Sequence, residues 1–312
     1  MGQRLCAFSQ VAGTYSIVAR DAETGQLGVA VQSHWFSVGS VVPWAEAGIG
    51  AVATQSVVEV SYGPLGLERM RGGMAAPRAL AELLMSDPGR ELRQVAMVDG
   101  QGEVAAHTGA RCISEAGHEV GQAFSVQANM MARRTVWPAM ACAYQEARGD
   151  LADRLLAALD AAQAEGGDIR GMQSAALLIV EGERKQRPWE GVLIELRVED
   201  HPEPLKELRR LLALHRAYEH MNEGDALLGK NRVEAALQQY RKAAEMVPHI
   251  AELPFWQAVT LADLGELEAA LPLFRDVFRR DPSLVTLVRR LPAAGLLRDD
   301  ASMIQRILSV TE

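Results

Sequence analysis

Cysteine is scarce in this 312-residue chain: Cys6, Cys112 and Cys142 are odd in number, widely spaced and lack a Cys-x-x-Cys pattern. That excludes a disulfide-built scaffold and favours a reduced, cytoplasmic compartment. Free cysteine commonly packs as a small hydrophobe, so Cys112 and Cys142 are expected to be structural. Long apolar runs are missing too. None approaches the roughly 18 residues of a membrane span. The opening MGQRLCAFSQVAG lacks the apolar stretch of about 7 or more residues of a secretory signal. Excess positive charge is also absent. A net charge of −8 argues against nucleic acid or an anionic membrane as partner. The pairs Arg133-Arg134, Arg209-Arg210, Arg279-Arg280 and Arg289-Arg290 fit solvated helix faces. No Walker loop, GxGxxG, HExxH, GxSxG or zinc spacing occurs, and none of the seven histidines pairs at metal-ligand spacing. No metal and no organic cofactor is implied.

What the chain does contain is a repeat. Gly224, Leu227, Ala236, Leu237, Tyr240, Ala243 and Pro248 are followed by Leu261, Ala270, Leu271, Phe274, Val277 and Pro282 at matching offsets. The interval of about 34 residues is the tetratricopeptide period. Each unit, near 218–250 and 252–284, reads as a helix pair: a small residue permits close approach, an aromatic fills the contact, and a proline ends the second helix. Residues 204–312 are therefore expected to form an all-α domain that docks a peptide or protein partner. Two units are fewer than the roughly three that stand alone. A helix over Leu205 to Met221 and tail helices near Leu284 to Arg290 and Ala301 to Leu308 are expected to cap the stack or dock it on the first domain. Exposed repeat faces favour a homo-oligomer.

The first two hundred residues read as α+β. Thr14 to Arg20 and Leu27 to Ser33, joined by DAETGQ, predict a β-hairpin. Val38 to Val42 and Gly48 to Thr54 suggest a second, with Pro43 and Gly48 bounding its turn. Helical spacing follows from Tyr62 to Ser86, broken near Gly72-Gly73 and Pro77. Gln94 to Val98 and Val104 to Thr108 form a third hairpin about Asp99-Gly100-Gln101-Gly102, and Phe124 to Asn129 is a further strand. Two helices, Val136 to Ala147 and Leu151 to Ala164, end at Gly166-Gly167. Strands Ala175 to Val180 and Val192 to Val198 close the domain. Helices in blocks favour antiparallel sheets covered by helices. Asp200-His201-Pro202-Glu203-Pro204 marks the boundary.

Hydroxyl chemistry concentrates in one place. If the first hairpin pairs symmetrically, Thr14 lies opposite Ser33, and Thr14, Ser16 and Ser33 share a face with His34 next along. Gly13 directly before Thr14 suggests a mechanism. Cleavage between them frees an α-amine, of pKa about 7.7–8.0, as base for the threonine's own hydroxyl. A threonine opening a strand needs no function, so the dipeptide alone does not decide. Other polar residues have plainer readings. Asp21 and Glu23 suit a turn, His107 and Thr108 a strand end, and His118 the surface. Asp168 and Arg170 suit an ion pair capping the next strand, and Asp200-His201-Pro202 a hydrogen-bonded joint. Thr54, Gln55, Gln173 and Ser174 either line the same pocket or belong to strands. Trp44, Trp137, Trp189 and Trp256 read as packing.

TYSIVARDAETGQLGVAVQSHWFSVGSVVPWAEAGIGAVATQ, YGPLGLERM, VDGQGEVAAHTG, VQANMM, GGDIRGMQSAALLIV and EDHPEPLKEL together resemble a bacterial domain family of unknown function, serially numbered one thousand and twenty-eight. The resemblance spans about Thr14 to Leu208. It implies the fold of the N-terminal-nucleophile (Ntn) hydrolases, a four-layer αββα sandwich over 14–203, with 1–13 as an extension or propeptide. In that superfamily the first residue of the first strand is the nucleophile, which maps onto Thr14. An asparagine at a later strand end commonly donates to the oxyanion, which maps onto Asn129. Thirteen residues precede Thr14, so loss of Met1 alone does not expose it. Autocleavage or a later start is required. Two readings stay open. In one, Thr14, Ser33, His34 and Asn129 hydrolyse the amide bond of a small substrate. In the other, the sandwich is a non-catalytic ligand-binding or scaffold platform whose repeats recruit partners.

Overall fold

The computed structural model describes residues 11–311. Cys6 and the larger part of the 1–13 extension lie outside them. The described residues form two compact units, one ending at Arg210 and the other beginning at Leu211.

The first unit is mixed α and β with two antiparallel sheets. One sheet runs β1 (Val11–Ala12), β5 (Gly50–Val57), β6 (Arg93–Asp99) and β7 (Val104–Thr108), with β4 (Pro43–Glu46) also on β5. The other has the order β11 (Val192–Val198), β10 (Ser174–Val180), β3 (Leu27–Ser33), β2 (Thr14–Arg20), β9 (Phe124–Asn129) and β8 (Gly117–Gly121). The sheets face each other, with β2, β3 and β9 against β4, β5 and β6. Helices α1 (Tyr62–Arg71) and α2 (Ala76–Ser86) pack on the first sheet, and α3 (Val136–Glu146) and α4 (Leu151–Ala164) on the second. With both faces covered, β2 and β3 are buried along nearly their whole length. Alternation then divides each strand. On β5 and β6, Ala51, Ala53, Ala96 and Val98 point between the sheets, while Val52, Val95 and Met97 meet α1 and α2.

The first hairpin has the expected register, Thr14 opposite Ser33 and Ser16 opposite Val31. The second differs. Val38–Ser40 is a short 3-10 turn and the strand begins at Pro43, opposite Ala53. Proline is tolerated at the first residue of a strand, so it opens β4 instead of ending a strand before it. Pro77 sits in the first turn of α2, where its missing N–H costs nothing. Strands β1 and β8 were not expected. Cys142 is exposed, and so is Trp189, over which Arg187 lies. Both depart from the packing roles read for them, because Cys142 lies on the exposed face of α3, away from the buried Met140, Ala141 and Tyr144, and Trp189 on the short 3-10 turn Pro188–Gly191. Cys112 is partly buried, donates to the Arg93 carbonyl, and has its thiol pKa raised chiefly by burial.

The C-terminal region is helical. Helix α5 runs unbroken over Pro204–Gly229, so the segment expected to end at Met221 continues into the first repeat. Leu205 and Leu208 in its first turns are buried, and the division between the units falls within this helix. Then follow α6 (Val233–Met246), α7 (Glu252–Asp263), α8 (Leu267–Arg280), α9 (Ser283–Val288) and α10 (Ala301–Ser309). Phe255, Phe274, Phe278, Leu284, Met303 and Ile307 share one core there.

Candidate active site

The chain crosses from one sheet to the other at a single residue. β1 belongs to the β5 sheet, β2 to the opposite one, and Gly13 alone lies between them. Thr14, first in β2, is flanked in register by Ser33 on β3 and Asn129 on β9. All three are buried.

Hydrogen bonding at this junction is directional. The Ser33 hydroxyl donates to the Gly13 carbonyl at 2.6 Å, and the Thr14 and Ser33 hydroxyl oxygens are 3.0 Å apart. A serine hydroxyl has one proton, and Gly13 takes it, so Thr14 is the donor to Ser33. The result is a chain from the Thr14 hydroxyl through Ser33 to the carbonyl next to Thr14. Arg170 Nη2 is a second donor to that carbonyl, at 3.4 Å. The expected Asp168–Arg170 ion pair forms, and it does more than cap a strand. Asp168 is buried and takes both Nε and Nη2 of Arg170, the Arg170 backbone N–H and the His34 N–H. It thereby fixes the guanidinium beside Gly13.

Asn129 is placed at Thr14, but its Nδ2 donates to Gln94 Oε1 at 3.0 Å and to the Thr14 carbonyl at 3.4 Å. The Gly13 carbonyl is held by Ser33 and Arg170 instead. Asn129 Oδ1 is buried without a partner, as are His34 Nδ1 and both amide atoms of Gln32. Leaving such a group unpaired costs about 1–3 kcal/mol. His34 contributes its backbone N–H to Asp168, whose partner Arg170 reaches the Gly13 carbonyl.

Behind Thr14 lies a polar cluster from both sheets. Gln55 accepts from Ser16 at 2.6 Å and donates to Gln94 Oε1 at 2.8 Å and the Thr14 carbonyl at 3.3 Å. Gln94 reaches Thr108 and the Ala128 carbonyl, and Gln127 donates to Ser16. Gln55 thus lines the site, whereas Thr54 bonds locally to Glu59. On the opposite face of β2, Tyr15 donates to Gln163. Burial, reinforced by Asp160 and Asp168, raises its phenol pKa well above the usual range, so it stays protonated. Ser56, paired with Ala12, and Met130, next to Asn129, have φ of 73° and 60°. Non-glycine residues in that region cost about 1–3 kcal/mol each and gather at functional sites. Asp168, Arg170 and Gln94 were not singled out as site residues from the sequence. The run GGDIRG was the available signal for the first two.

Among the described residues no group of three or more His, Cys, Asp or Glu is placed to hold a metal ion, and no helix is long and apolar enough to cross a membrane. No curated protein matches the chain. The crystal structure of a protein from Silicibacter pomeroyi, described as belonging to DUF1028, is similar at 31% identity and a TM-score of 0.58, over 64% of this chain and 88% of that one. The model described as "Family of unknown function (DUF1028)" matches residues 14–208, opening on Thr14 and closing near the end of the first unit. The chain belongs to the DUF1028 family of unknown function.

Proposed function

We propose that the first unit is an αββα sandwich of the Ntn-hydrolase type, and that Thr14 is the nucleophile of an amide-bond hydrolase acting on a small substrate. The observation that carries this reading is the grip of Ser33 and Arg170 on the Gly13 carbonyl, beside a Thr14 hydroxyl that donates to Ser33. Two donors on a carbonyl stabilise the negative charge that develops there when it is attacked.

The chain is its own first substrate. Thr14 Oγ bonds to the Gly13 carbonyl carbon while its proton moves to Ser33. The Gly13–Thr14 C–N bond breaks, the nitrogen takes up the proton, and an ester to Thr14 Oγ remains. Water hydrolyses that ester, releasing the Gly13 carboxylate and restoring the hydroxyl. The freed α-amine then acts as general base for later turnovers. Asn129 Oδ1, unpartnered and buried, accepts an N–H of that amine. His34 and Asp168 hold the other side of the site.

We assign the helical region two tetratricopeptide-type repeats that dock a peptide or protein partner. A Cβ on Gly224 of α5 would lie 2.6 Å from the Tyr240 ring of α6, the close approach the repeat requires. A cavity of about 720 Å³ lined by Met221, Tyr240, Trp256 and Leu264 offers a seat. The complete burial of Thr14 in the uncleaved chain favours the other reading, a non-catalytic platform. Intact mass and N-terminal sequencing separate the two. The hydrolase reading expects a chain beginning at Thr14, and Thr14→Ala to abolish both cleavage and turnover of N-acyl amides while shifting the melt little. A chain that stays whole, with no turnover dependent on Thr14, leaves the platform.

A further inference from the structure

Resting on the hydrolase reading, we infer that the acyl half of the substrate is an extended peptide-like chain ending in glycine, bound where residues 11–13 lie. Three observations meet at this place. The backbone of residues 11–12 pairs antiparallel with β5, Val11 opposite Val57 and Ala12 opposite Ser56. β4 occupies the same edge of β5 only between Gly50 and Ala53. The edge beyond Thr54 is therefore free for any chain of that direction once the leading segment departs. A two-residue strand is a weak anchor, and an exposed sheet edge recruits extended peptides through main-chain hydrogen bonds.

The second observation sets the residue at the carbonyl. A Cβ on Gly13 would lie 2.7 Å from Arg170 Nη2 and 2.9 Å from Asp168 Cγ, and closer still to Asp168 Oδ2. A side-chain terminus ordinarily swings away from such a contact. This one cannot, because Asp168 accepts from Nε and Nη2 of the guanidinium and from two backbone N–H groups, and its side chain is fully buried. Thirdly, the carbonyl itself is held by Ser33 and Arg170, so Arg170, which helps to polarise it, also excludes a side chain beside it. In turnover, Thr14 Oγ bonds to the glycyl carbonyl carbon as the amide C–N bond breaks. The hydroxyl proton passes through the Thr14 amine to the leaving amine, and water releases the glycine carboxylate.

The test uses the full-length protein after self-cleavage, with acetyl-Val-Ala-Gly, acetyl-Val-Ala-Ala and acetyl-Val-Ala-Val coumarin amides, and Thr14→Ala as background. The glycyl amide is expected to exceed the alanyl one at least about 10-fold in kcat/KM, within the discrimination one methyl group can give, and the valyl one to stay at background. Gly13→Ala in the uncut chain slows self-cleavage by a similar factor. Asp168→Ala shrinks the glycyl-to-alanyl ratio below about threefold. That ratio is taken within one sample, so partial unfolding does not alter it. Equal glycyl and alanyl rates, turnover of other amides with none of these cleaved, or unchanged selectivity in Asp168→Ala each overturns the inference while leaving the hydrolase. An uncut chain without Thr14-dependent turnover of any amide overturns both.

Discussion

The space between the two sheets has two ends of opposite chemistry. At one end Val18, Leu27, Val29, Val31, Ala51, Ala53, Ala96 and Val98 form a dry apolar core. At the other, the same strands present Thr14, Ser16, Ser33, Gln55 and Gln94, joined by Gln127 and Asn129 of β9. Apolar contact is non-directional, so the first end needs only volume and shape. The second end needs every donor matched to an acceptor, for a net gain of only about 0.5–1.5 kcal/mol per bond. Stability alone gives no reason to prefer it. What the polar end does is hold one peptide link, Gly13–Thr14, with fixed donors on its carbonyl.

The largest effect expected from breaking this contrast lies at the apolar end. Leu27 is fully buried there, and Leu27→Ala leaves a cavity costing about 2–5 kcal/mol. Urea unfolding should show that loss, while self-cleavage per folded molecule stays near wild type. A comparable loss of cleavage would show the two ends to be coupled. Next is Ser33→Ala at the polar end. It removes one of two carbonyl donors and the acceptor of the Thr14 proton, so single-turnover cleavage should slow about 10²–10³-fold. Its cost in stability is nearer 1 kcal/mol. The pair of substitutions thus has reciprocal signatures.

A third change tests whether the polar end acts as a unit. Gln94 accepts from Gln55 and Asn129 and donates to Thr108 and Ala128. Gln94→Leu strands several of these at once and should cost about 1–3 kcal/mol. It also releases Asn129 Nδ2, so the cleavage rate should fall further in combination with Asn129→Ala by less than the two separate effects predict. Full additivity, measured in a double-mutant cycle, would mean the cluster is not cooperative.

Much of this contrast was legible in the sequence because the first hairpin is local. Six residues of turn chemistry between two seven-residue strands fix the Thr14–Ser33 pairing, and period-2 alternation places Ser16 with them. Asn129 became legible through the family resemblance and not through spacing. What stayed hidden is non-local or weakly marked. Gln55 was read as able to line the pocket, but its reach to the Thr14 carbonyl from the other sheet, through a cluster that includes Gln94, was not legible, since no periodicity reports how two sheets stack. Asp168 and Arg170 approach Gly13 over more than 150 residues of chain, so their ion pair was readable but its target was not. β8 carries glycine at both ends and faces solvent along its middle, which leaves no apolar alternation to read. β1 is too short for any pattern. Pro43 marked a boundary correctly but on the wrong side, since a proline can open a strand as well as end one.

The smallest expected effect sharpens the contrast by asking where acid acts. At the rim of the apolar end, Asp21 closes the first hairpin. Burial pushes its carboxyl pKa up, but hydrogen bonds from the Thr24 N–H and hydroxyl and the Glu23 N–H, with the Arg154 guanidinium, bring it below the usual value. A carboxylate with a lowered folded pKa adds stability that is present above its unfolded pKa of about 3.9 and lost as pH falls through the folded value. Asp21→Asn should therefore cost about 1 kcal/mol near neutrality. The wild-type advantage should vanish progressively below about pH 4, as followed by urea midpoints across the acid range. Turnover of a separate substrate by the cleaved chain should track a different group, the freed Thr14 amine, and fall with protonation near pH 7.7–8.0. Separate pH dependences for stability and turnover mean that the two ends titrate independently, whereas one shared acid limb would tie the hairpin turn to the site at its far end.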